Sequence, residues 1–464
     1  MIAATVALTL LRELLRALST PLRVLGYLPF RRHWRRVARE VLDGVAATQA
    51  GDAKTQLAAF YAKRRAWRGA VPHVFLSAGE ASGEAHAARL LTALTADGTP
   101  LRASAFGGHE LTAAGAELKF ALSEHAVMGL AGVLKQLPLI VRAFAAYLRL
   151  LRDDPPDLVV LVDYPGLHVV MAKAAKRRGI PVLHYVAPQY WAWGPWRMRR
   201  YRRAVDGSLT ILPFEPPFFA RFRIPAAYIG HPILDELAAH PLDDAAVAAV
   251  RARPTLVLLP GSRRAEIAAN LPGMVEVAQR LRRHTPDLRV VLPHKNPKRT
   301  ELLRETLASV GADFVEHHEG PLATWLAGAR LILAKSGTGS LEACLYGNPT
   351  IVVYQMSGAL DSFAFHNLIS VPWVAPANLA MGRAIVDEFC FRDPRGWQRV
   401  GDAAERLWTD QAARDRASAD LQALRARLGA PGATARVAAI VREFLWPADR
   451  PQPTNRTMPN RTKP

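Results

Sequence analysis

Leu331-Ile-Leu-Ala-Lys-Ser336-Gly-Thr-Gly-Ser340-Leu-Glu342 decides the fold. A run of aliphatic residues too short for a helix breaks off in small residues, and a helical pattern follows. Strand, small-residue loop and helix in that order form the repeating unit of a parallel α/β sheet. The small residues let the backbone approach a phosphate closely. The helix that follows offers unpaired N–H groups and the positive end of its dipole. No Gly-Lys-Ser/Thr follows, and the spacing is not Gly-x-Gly-x-x-Gly, so neither the nucleoside-triphosphate loop nor the dinucleotide fingerprint applies. Ser336, Gly337 and Thr338 are candidate diphosphate contacts, and Glu342 is placed to accept from ribose hydroxyls.

The same unit recurs outward from this stretch. Leu256–Leu259 runs into Pro260-Gly-Ser262-Arg263-Arg264-Ala-Glu266. There Ser262 can donate to a phosphate oxygen, Arg263 can hold it bidentately, and Glu266 can orient an arginine. Two phosphate-favouring loops in one half imply a nucleotide diphosphate. Further strands are expected at Val74–Ser77, Leu158–Val162, Pro181–Val186 and Thr350–Tyr354. Continuous apolar runs of this kind read as parallel strands buried on both faces, with ligands bound beyond their carboxyl ends.

At those ends the first half carries different chemistry. Asp163 closes a strongly apolar strand, where partial desolvation raises a carboxylate and suits it to act as a general base. Glu80 and Glu84 are alternative bases. Gly79, Ser82 and Gly83 form a loop able to lie against a sugar or its phosphate. Gln189-Tyr-Trp191-Ala-Trp193 sets aromatic rings on a loop for stacking on a sugar or touching acyl chains. A dense basic run follows, from Arg197 to Arg203.

The series splits between Gly230 and Thr255, with the boundary expected near residues 235–250. The expected organisation is a basic amphipathic extension over 1–70, Rossmann-like domains over 71–240 and 241–446 facing a central cleft, and a disordered tail over 447–464. The chain carries a net charge of +20, which predicts attraction to polyanions and says nothing of fold. Residues 1–70 hold 13 Lys/Arg against 4 Asp/Glu. Ile2, Val6, Leu8, Leu10, Leu11, Leu14, Leu15 and Leu18 make a wide apolar arc there, and Trp34 sits among arginines. Such a segment suits a helix lying on an anionic membrane surface, or one packed on the core with its arginines in water. The apolar opening is too short to cross a bilayer and has no basic residues before it, so neither a secretory signal nor a spanning helix is expected. Cys344 and Cys390 are far apart and read as free thiols in a reducing compartment. No nucleic-acid-binding motif accompanies the basic residues.

Taken together and in order, these loops resemble the lipid-A-disaccharide synthases. The resemblance covers about residues 72–440 and includes Ser77-Ala-Gly-Glu-Ala-Ser-Gly83, Phe106-Gly-Gly108, Val127-Met128-Gly129 and Asp163-Tyr-Pro-Gly166. It continues through Pro188-Gln-Tyr-Trp-Ala-Trp193, Leu212-Pro-Phe-Glu215, Gly230-His-Pro232, Leu259–Ile267, Ser336-Gly-Thr338 with Glu342, and Asn378 with Gly382-Arg383. It implies the GT-B architecture and an inverting transfer that uses no metal or other cofactor. The donor would be UDP-2,3-diacylglucosamine and the acceptor 2,3-diacylglucosamine 1-phosphate, joined in a β-1,6 linkage. Asp163 would be the leading candidate for the base, and Met128 would lie on the acceptor side. Asn378, Arg383 and Glu388 would complete the donor site. The enzyme would be cytoplasmic and peripheral on the inner membrane, with a homo-oligomer left open. The chain departs from the family pattern at Glu84, where Asp is usual, at Gly194 and Gln355, where basic residues are usual, and at Ala377, where Pro is usual.

Overall fold

The structure, a computed structural model, describes residues 2–45, 52–123, 137–356 and 358–447. Its frame is two sheets in which every strand pair is parallel. The first sheet holds β1 (His73–Ala78), β2 (Arg102–Gly107), β3 (Glu117–Ala121), β4 (Leu158–Val162), β5 (Val182–Tyr185), β6 (Gly207–Thr210) and β7 (Ala226–Tyr228). The second holds β8 (Thr255–Leu259), β9 (Arg289–His294), β10 (Val315–Glu319), β11 (Leu331–Lys335), β12 (Thr350–Gln355) and β13 (Glu388–Phe391). Their orders are β3-β2-β1-β4-β5-β6-β7 and β10-β9-β8-β11-β12-β13. In each sheet the order reverses next to the first strand, between β1 and β4 and between β8 and β11. Such a switch point opens a crevice at the carboxyl ends of the two strands.

Burial explains the apolar runs. All five residues of β4 are fully buried, and their alternation serves two cores at once. Val159 and Leu161 pack into one layer, while Leu158, Val160 and Val162 pack into the other. All six strands expected from sequence are present. The seven others are β2, β3, β6, β7, β9, β10 and β13. They are short, carry charged or small residues, or lie at a sheet edge, so they lack a continuous apolar signature.

Two segments are placed differently from expectation. The closing helix Ala433–Leu445 does not pack with the second sheet. Val437, Val441 and Phe444 fill the same core as Val74 and Leu76. Asp235 caps this helix, accepting from the N–H of Thr434 at 2.9 Å. Nor do residues 1–70 stand apart as an extension. Helices α1 (Ile2–Leu18) and α3 (Arg31–Asp43), joined through α2 (Thr20–Tyr27), send Val6, Val37, Val41 and Leu42 into the core beneath the first sheet. Leu57 and Phe60 are fully buried on its opposite face. The apolar arc of α1 is wider than one packing face, and the remainder is exposed. Leu8, Leu11, Leu14, Leu15 and Leu18 all face outward, followed by Leu22, Leu25 and Phe30. The expected tail lies almost wholly outside the described residues.

Phe60 stacks on Phe444 with ring centroids 4.4 Å apart. Phe60→Ala is expected to cost about 3–5 kcal/mol of stability, measured as a lowered denaturation midpoint. A loss under about 0.5 kcal/mol, the usual size for a surface substitution, would show that this segment is not part of the core.

Candidate active site

At the first switch point, the loops after β1 and β4 meet. Asp163 and Tyr164 both take left-handed backbone conformations, with φ of 51° and 47°, at a cost of about 1–3 kcal/mol each. The surroundings hold them there. The Asp163 carbonyl accepts from His168 Nδ1 at 2.7 Å and from His184 Nε2 at 2.9 Å. Because a carbonyl can only accept, those nitrogens carry the protons. His168 Nε2 then accepts from the Ser77 hydroxyl at 2.9 Å. Both imidazoles are fully buried. Burial, reinforced by the neighbouring His184, pulls His168 down to about 3, and burial pulls His184 down to about 4. Both stay neutral and fix the turn without placing a charge in it.

The Asp163 carboxyl is pushed up by burial first and by the negative charge of Glu80 second. Glu80 occupies the N-cap position of helix Ala81–Thr95. Between them Gly79 admits the Tyr164 ring, since a Cβ there would lie 2.2 Å from it. Ser82 is exposed on the first turn of the same helix, and Gly83 is buried against Val162. The neighbouring loop after β5 is also strained, with Val186 at φ 57°. It carries exposed Gln189 and Trp193, and the Arg197 guanidinium lies 5.4 Å from the Trp193 ring.

At the second switch point, Glu266 organises the loop after β8. Its carboxylate accepts from the backbone N–H of Ser262 at 3.1 Å and Arg263 at 3.3 Å. It also accepts from the Arg263 side chain at 2.8 Å and from Lys335 Nζ at 2.9 Å. Burial alone would raise this carboxyl. The hydrogen bond and charge of Lys335, with the charge of Arg263, hold it below the ordinary range instead. Gly261 sits at φ 114°, and a Cβ there would lie 2.7 Å from Glu266. Ser262, Thr338 and the backbone of Gly337 stand at the mouth of this crevice. Glu342 pairs with Lys295 at 3.1 Å. Arg299 donates to the Ser262 carbonyl at 3.1 Å.

The two crevices are tied together by the segment after helix Ala359–Leu368. Ser370 N–H donates to the Ala192 carbonyl at 2.7 Å, and Ile369 bridges Trp193. A few residues on, Val374 accepts from the Ser336 hydroxyl at 2.8 Å. A carboxylate pair at one crevice and a lysine- and arginine-lined phosphate cradle at the other suit a group transfer from a nucleotide diphosphate.

The sequence pattern of the lipid-A-disaccharide synthetase family matches residues 74–427. The chain belongs to that family. The lipid-A-disaccharide synthase of Myxococcus xanthus is 36% identical over 384 residues, covering 81% of this chain and 98% of its own length. That of Geobacter sulfurreducens is 34% identical over 376 residues, covering 80% and 97%. In fold the chain is similar to a putative UDP-N-acetylglucosamine 2-epimerase from Listeria monocytogenes. The TM-score is 0.57 at 15% identity, with 82% of this chain and 99% of that one covered. It is also similar to the glycotransferase of kitacinnamycin, with a TM-score of 0.52 at 17% identity, covering 81% and 100%. The family and the two facing parallel sheets make the chain a GT-B glycosyltransferase of lipid A biosynthesis.

Several expected site residues of this glycosyltransferase do other work. Glu84 is not a base facing the cleft. It is buried, and its carboxylate accepts from Glu110 N–H at 2.9 Å, from Leu111 N–H at 3.3 Å and from the Ser123 hydroxyl. Trp191 is core rather than an acceptor contact. It donates to Glu215 at 2.9 Å, and burial pushes that carboxyl up to about 7. Asn378 is fully buried, and its carboxamide serves the backbone of Ile385 and Val386. Glu388 likewise accepts from the N–H groups of Val374 and Ala375, both at 2.8 Å. Glu388 therefore braces the segment that ties the crevices, and Asn378 braces the turn before β13 and Glu388 itself, so both are committed within the fold. Arg383 pairs with Asp420 on helix Gln411–Leu428 instead of facing the phosphate loops. The Ser336 hydroxyl is committed to Val374, so only its neighbours offer donors to a ligand. Met128 lies outside the described residues.

Residues missed from sequence are His168, His184, Lys295 and Arg299. A single histidine inside the apolar run Val182-Leu-His-Tyr185 was a legible signal. Lys295-Asn-Pro-Lys-Arg299 follows a strand that the sequence did not disclose. At the positions that depart from the family pattern, Arg197 folds over Trp193 beside Gly194, and Lys335 lies 5.7 Å from the ring of Tyr354, the residue before Gln355.

Gly261→Ala is expected to weaken UDP binding by about tenfold or more, given a strained φ and a lost cradle, read by calorimetric titration. Asn378→Ala is expected to cost about 1–3 kcal/mol of stability by stranding buried N–H groups. UDP affinity of the folded fraction should stay near that of the parent. A reversed pattern would place Asn378 in the donor site after all.

Proposed function

We propose that the chain transfers 2,3-diacylglucosamine from its UDP derivative to the 6-hydroxyl of 2,3-diacylglucosamine 1-phosphate. The products are the β-1,6-linked disaccharide and UDP. The observation that carries this reading is the Asp163 carboxyl. It stands at a switch point on a backbone locked by two neutral imidazoles, and it is shifted toward proton affinity by burial and by Glu80.

In this reading residues 71–240, with helix Ala433–Leu445 packed on them, hold the acceptor, and residues 241–428 hold the donor. The Asp163 carboxylate takes the 6-hydroxyl proton as that oxygen bonds to the anomeric carbon. The bond from that carbon to the UDP oxygen breaks, its electron pair leaves on the pyrophosphate, and the configuration inverts. The backbone N–H groups starting helix Thr338–Leu345, with Arg263 and Lys335, offset the charge growing on the leaving group. Glu80 keeps Asp163 basic, and Ser82 and Gly83 lie along the acceptor.

Both substrates carry acyl chains, so the enzyme has to meet a bilayer. Among the described residues no helix is long and apolar enough to cross one. The leucine ridge of α1 and α2, continued by Phe30 and flanked by exposed arginines, suits peripheral attachment to the anionic cytoplasmic face of the inner membrane.

UDP release should require the acylated acceptor and survive EDTA. Asp163→Asn should lower kcat by about 10²–10⁴, the usual worth of general base catalysis. The rate of the parent enzyme should fall as pH drops through a pKa raised above that of an ordinary aspartate, because protonation removes the base. An Asp163→Asn variant with the parent's rate would sink this mechanism. Leu11→Glu with Leu15→Glu should reduce sedimentation with vesicles containing anionic lipid while leaving UDP binding intact. Unchanged sedimentation would remove the ridge from the membrane contact.

A further inference from the structure

A cavity of about 520 Å3 opens between α3 and the segment that ties the two crevices. One wall is Arg35, Arg36 and Arg39, and the other includes Phe365, Trp373 and Val374. None of the described residues that line it is a carboxylate. Its size is that of a small-molecule site, and it pairs one cationic wall with one apolar wall.

The cationic wall of the cavity lies outside the stretch that matches the family, residues 74–427, whereas the apolar wall and floor lie within it. Arg31 donates to Asn367 Oδ1 at 2.8 Å, and the Tyr27 and Ser370 hydroxyls share a hydrogen bond at 3.0 Å. Arg35 donates to the carbonyl of Ile369 at 3.2 Å and to that of His366. These bonds fix α3 against the segment and use up much of Arg35. Among the described residues Arg36 makes only a long contact with Glu40, 3.8 Å, and a weak one with His33, 3.4 Å. Arg39 has no hydrogen-bond or ion-pair partner among the described residues. Arg36 and Arg39 stand three apart on one helix, so both guanidinium groups can serve one anion. The floor of the cavity reaches both halves of the site. Ser370 is bonded to Ala192 on the acceptor side, and Val374 to Ser336 on the donor side.

We propose that this cavity holds the phosphate monoester of the glycolipid acceptor. Arg36 and Arg39 take the phosphate, and Phe365 and Trp373 lie against the acyl-sugar body. The inference rests on the function proposed above and adds acceptor-positioning residues supplied by the N-terminal helices. A dianionic phosphate on a lipid fits a pocket with guanidinium groups on one side, aromatic rings on the other and no acid among its described lining residues. UDP has its own cradle at the second switch point.

The test uses the full chain, with Arg36→Ala/Arg39→Ala and Arg36→Lys/Arg39→Lys variants. Steady-state UDP release is measured with 2,3-diacylglucosamine 1-phosphate and with the same lipid lacking its phosphate. The alanine variant should raise KM for the phosphorylated acceptor about 10- to 100-fold, as loss of charged hydrogen bonds does. KM for the donor should be little changed. The lysine variant should recover part of the loss, and the dephosphorylated lipid should not distinguish variant from parent. Equal KM values for the phosphorylated acceptor in parent and alanine variant would overturn the proposal.

Binding of the same phosphorylated lipid in detergent micelles, with UDP present, is measured in parallel and needs no turnover. If the parent fails to turn over, the proposed reaction is wrong, yet binding still decides the pocket. Binding lost in the alanine variant supports the pocket, and binding retained overturns it. Inorganic phosphate that competes as well as the lipid would also overturn it, since the pocket would then hold a free anion.

Discussion

A parallel strand buried on both faces can present polar chemistry only where it ends, and the whole molecule obeys that constraint. Each of the two sheets has helices on both sides, so its backbone is spent in the ladder and its side chains in two cores. Parallel pairing brings the carboxyl ends to one edge, and the reversal of strand order opens a crevice there. Because both sheets reverse beside their first strand, two crevices arise from one rule applied twice. What differs is the chemistry of the loops. One crevice has a carboxylate pair on a strained turn, and the other has glycines, a lysine and an arginine around a fixed glutamate.

The strain at Asp163 and Tyr164 is affordable because the fold over-determines it. A single carbonyl accepting two imidazole N–H groups ties the turn to the following helix and to the neighbouring strand β5. Burial keeps those imidazoles uncharged, so they orient the carboxylate without lowering its proton affinity. Glu266 shows the opposite use of a carboxylate. Surrounded by Lys335, Arg263 and two backbone N–H groups, it is held ionised and serves as a template for the phosphate loop. Two acids on equivalent edges of two similar sheets are thus shifted in opposite directions, one upward by burial and Glu80, the other downward by Lys335 and Arg263.

Much of this was legible from residues. Buried strands such as Leu158–Val162 announce themselves by unbroken aliphatic sequence, and the loops after them carry Asp163, Arg263 and Glu266 into the crevices. Edge strands such as Val-Glu-His-His-Glu319 do not, because one side meets solvent and no apolar run is required. Missing β9 hid Lys295 and Arg299. The errors at Glu84, Trp191 and Asn378 have one cause. Polar and aromatic residues near a loop can turn inward to satisfy backbone groups or fill the core, and spacing along the chain does not reveal which way they turn. The first 70 residues illustrate the same limit. Their amphipathic pattern is equally consistent with lying on lipid and with packing on protein, and the helices do pack while leaving a leucine ridge exposed.

The division of labour between the two crevices is tested most directly by a crystal structure of the protein with UDP bound. The pyrophosphate should lie at the carboxyl ends of β8 and β11, within hydrogen-bonding reach of the Ser262–Arg263 loop and the start of helix Thr338–Leu345. The loops after β1 and β4 would then remain open beside it. UDP seated instead against Gly79–Gly83 and Asp163 would contradict the account, because the proposed base would then lie under the nucleotide.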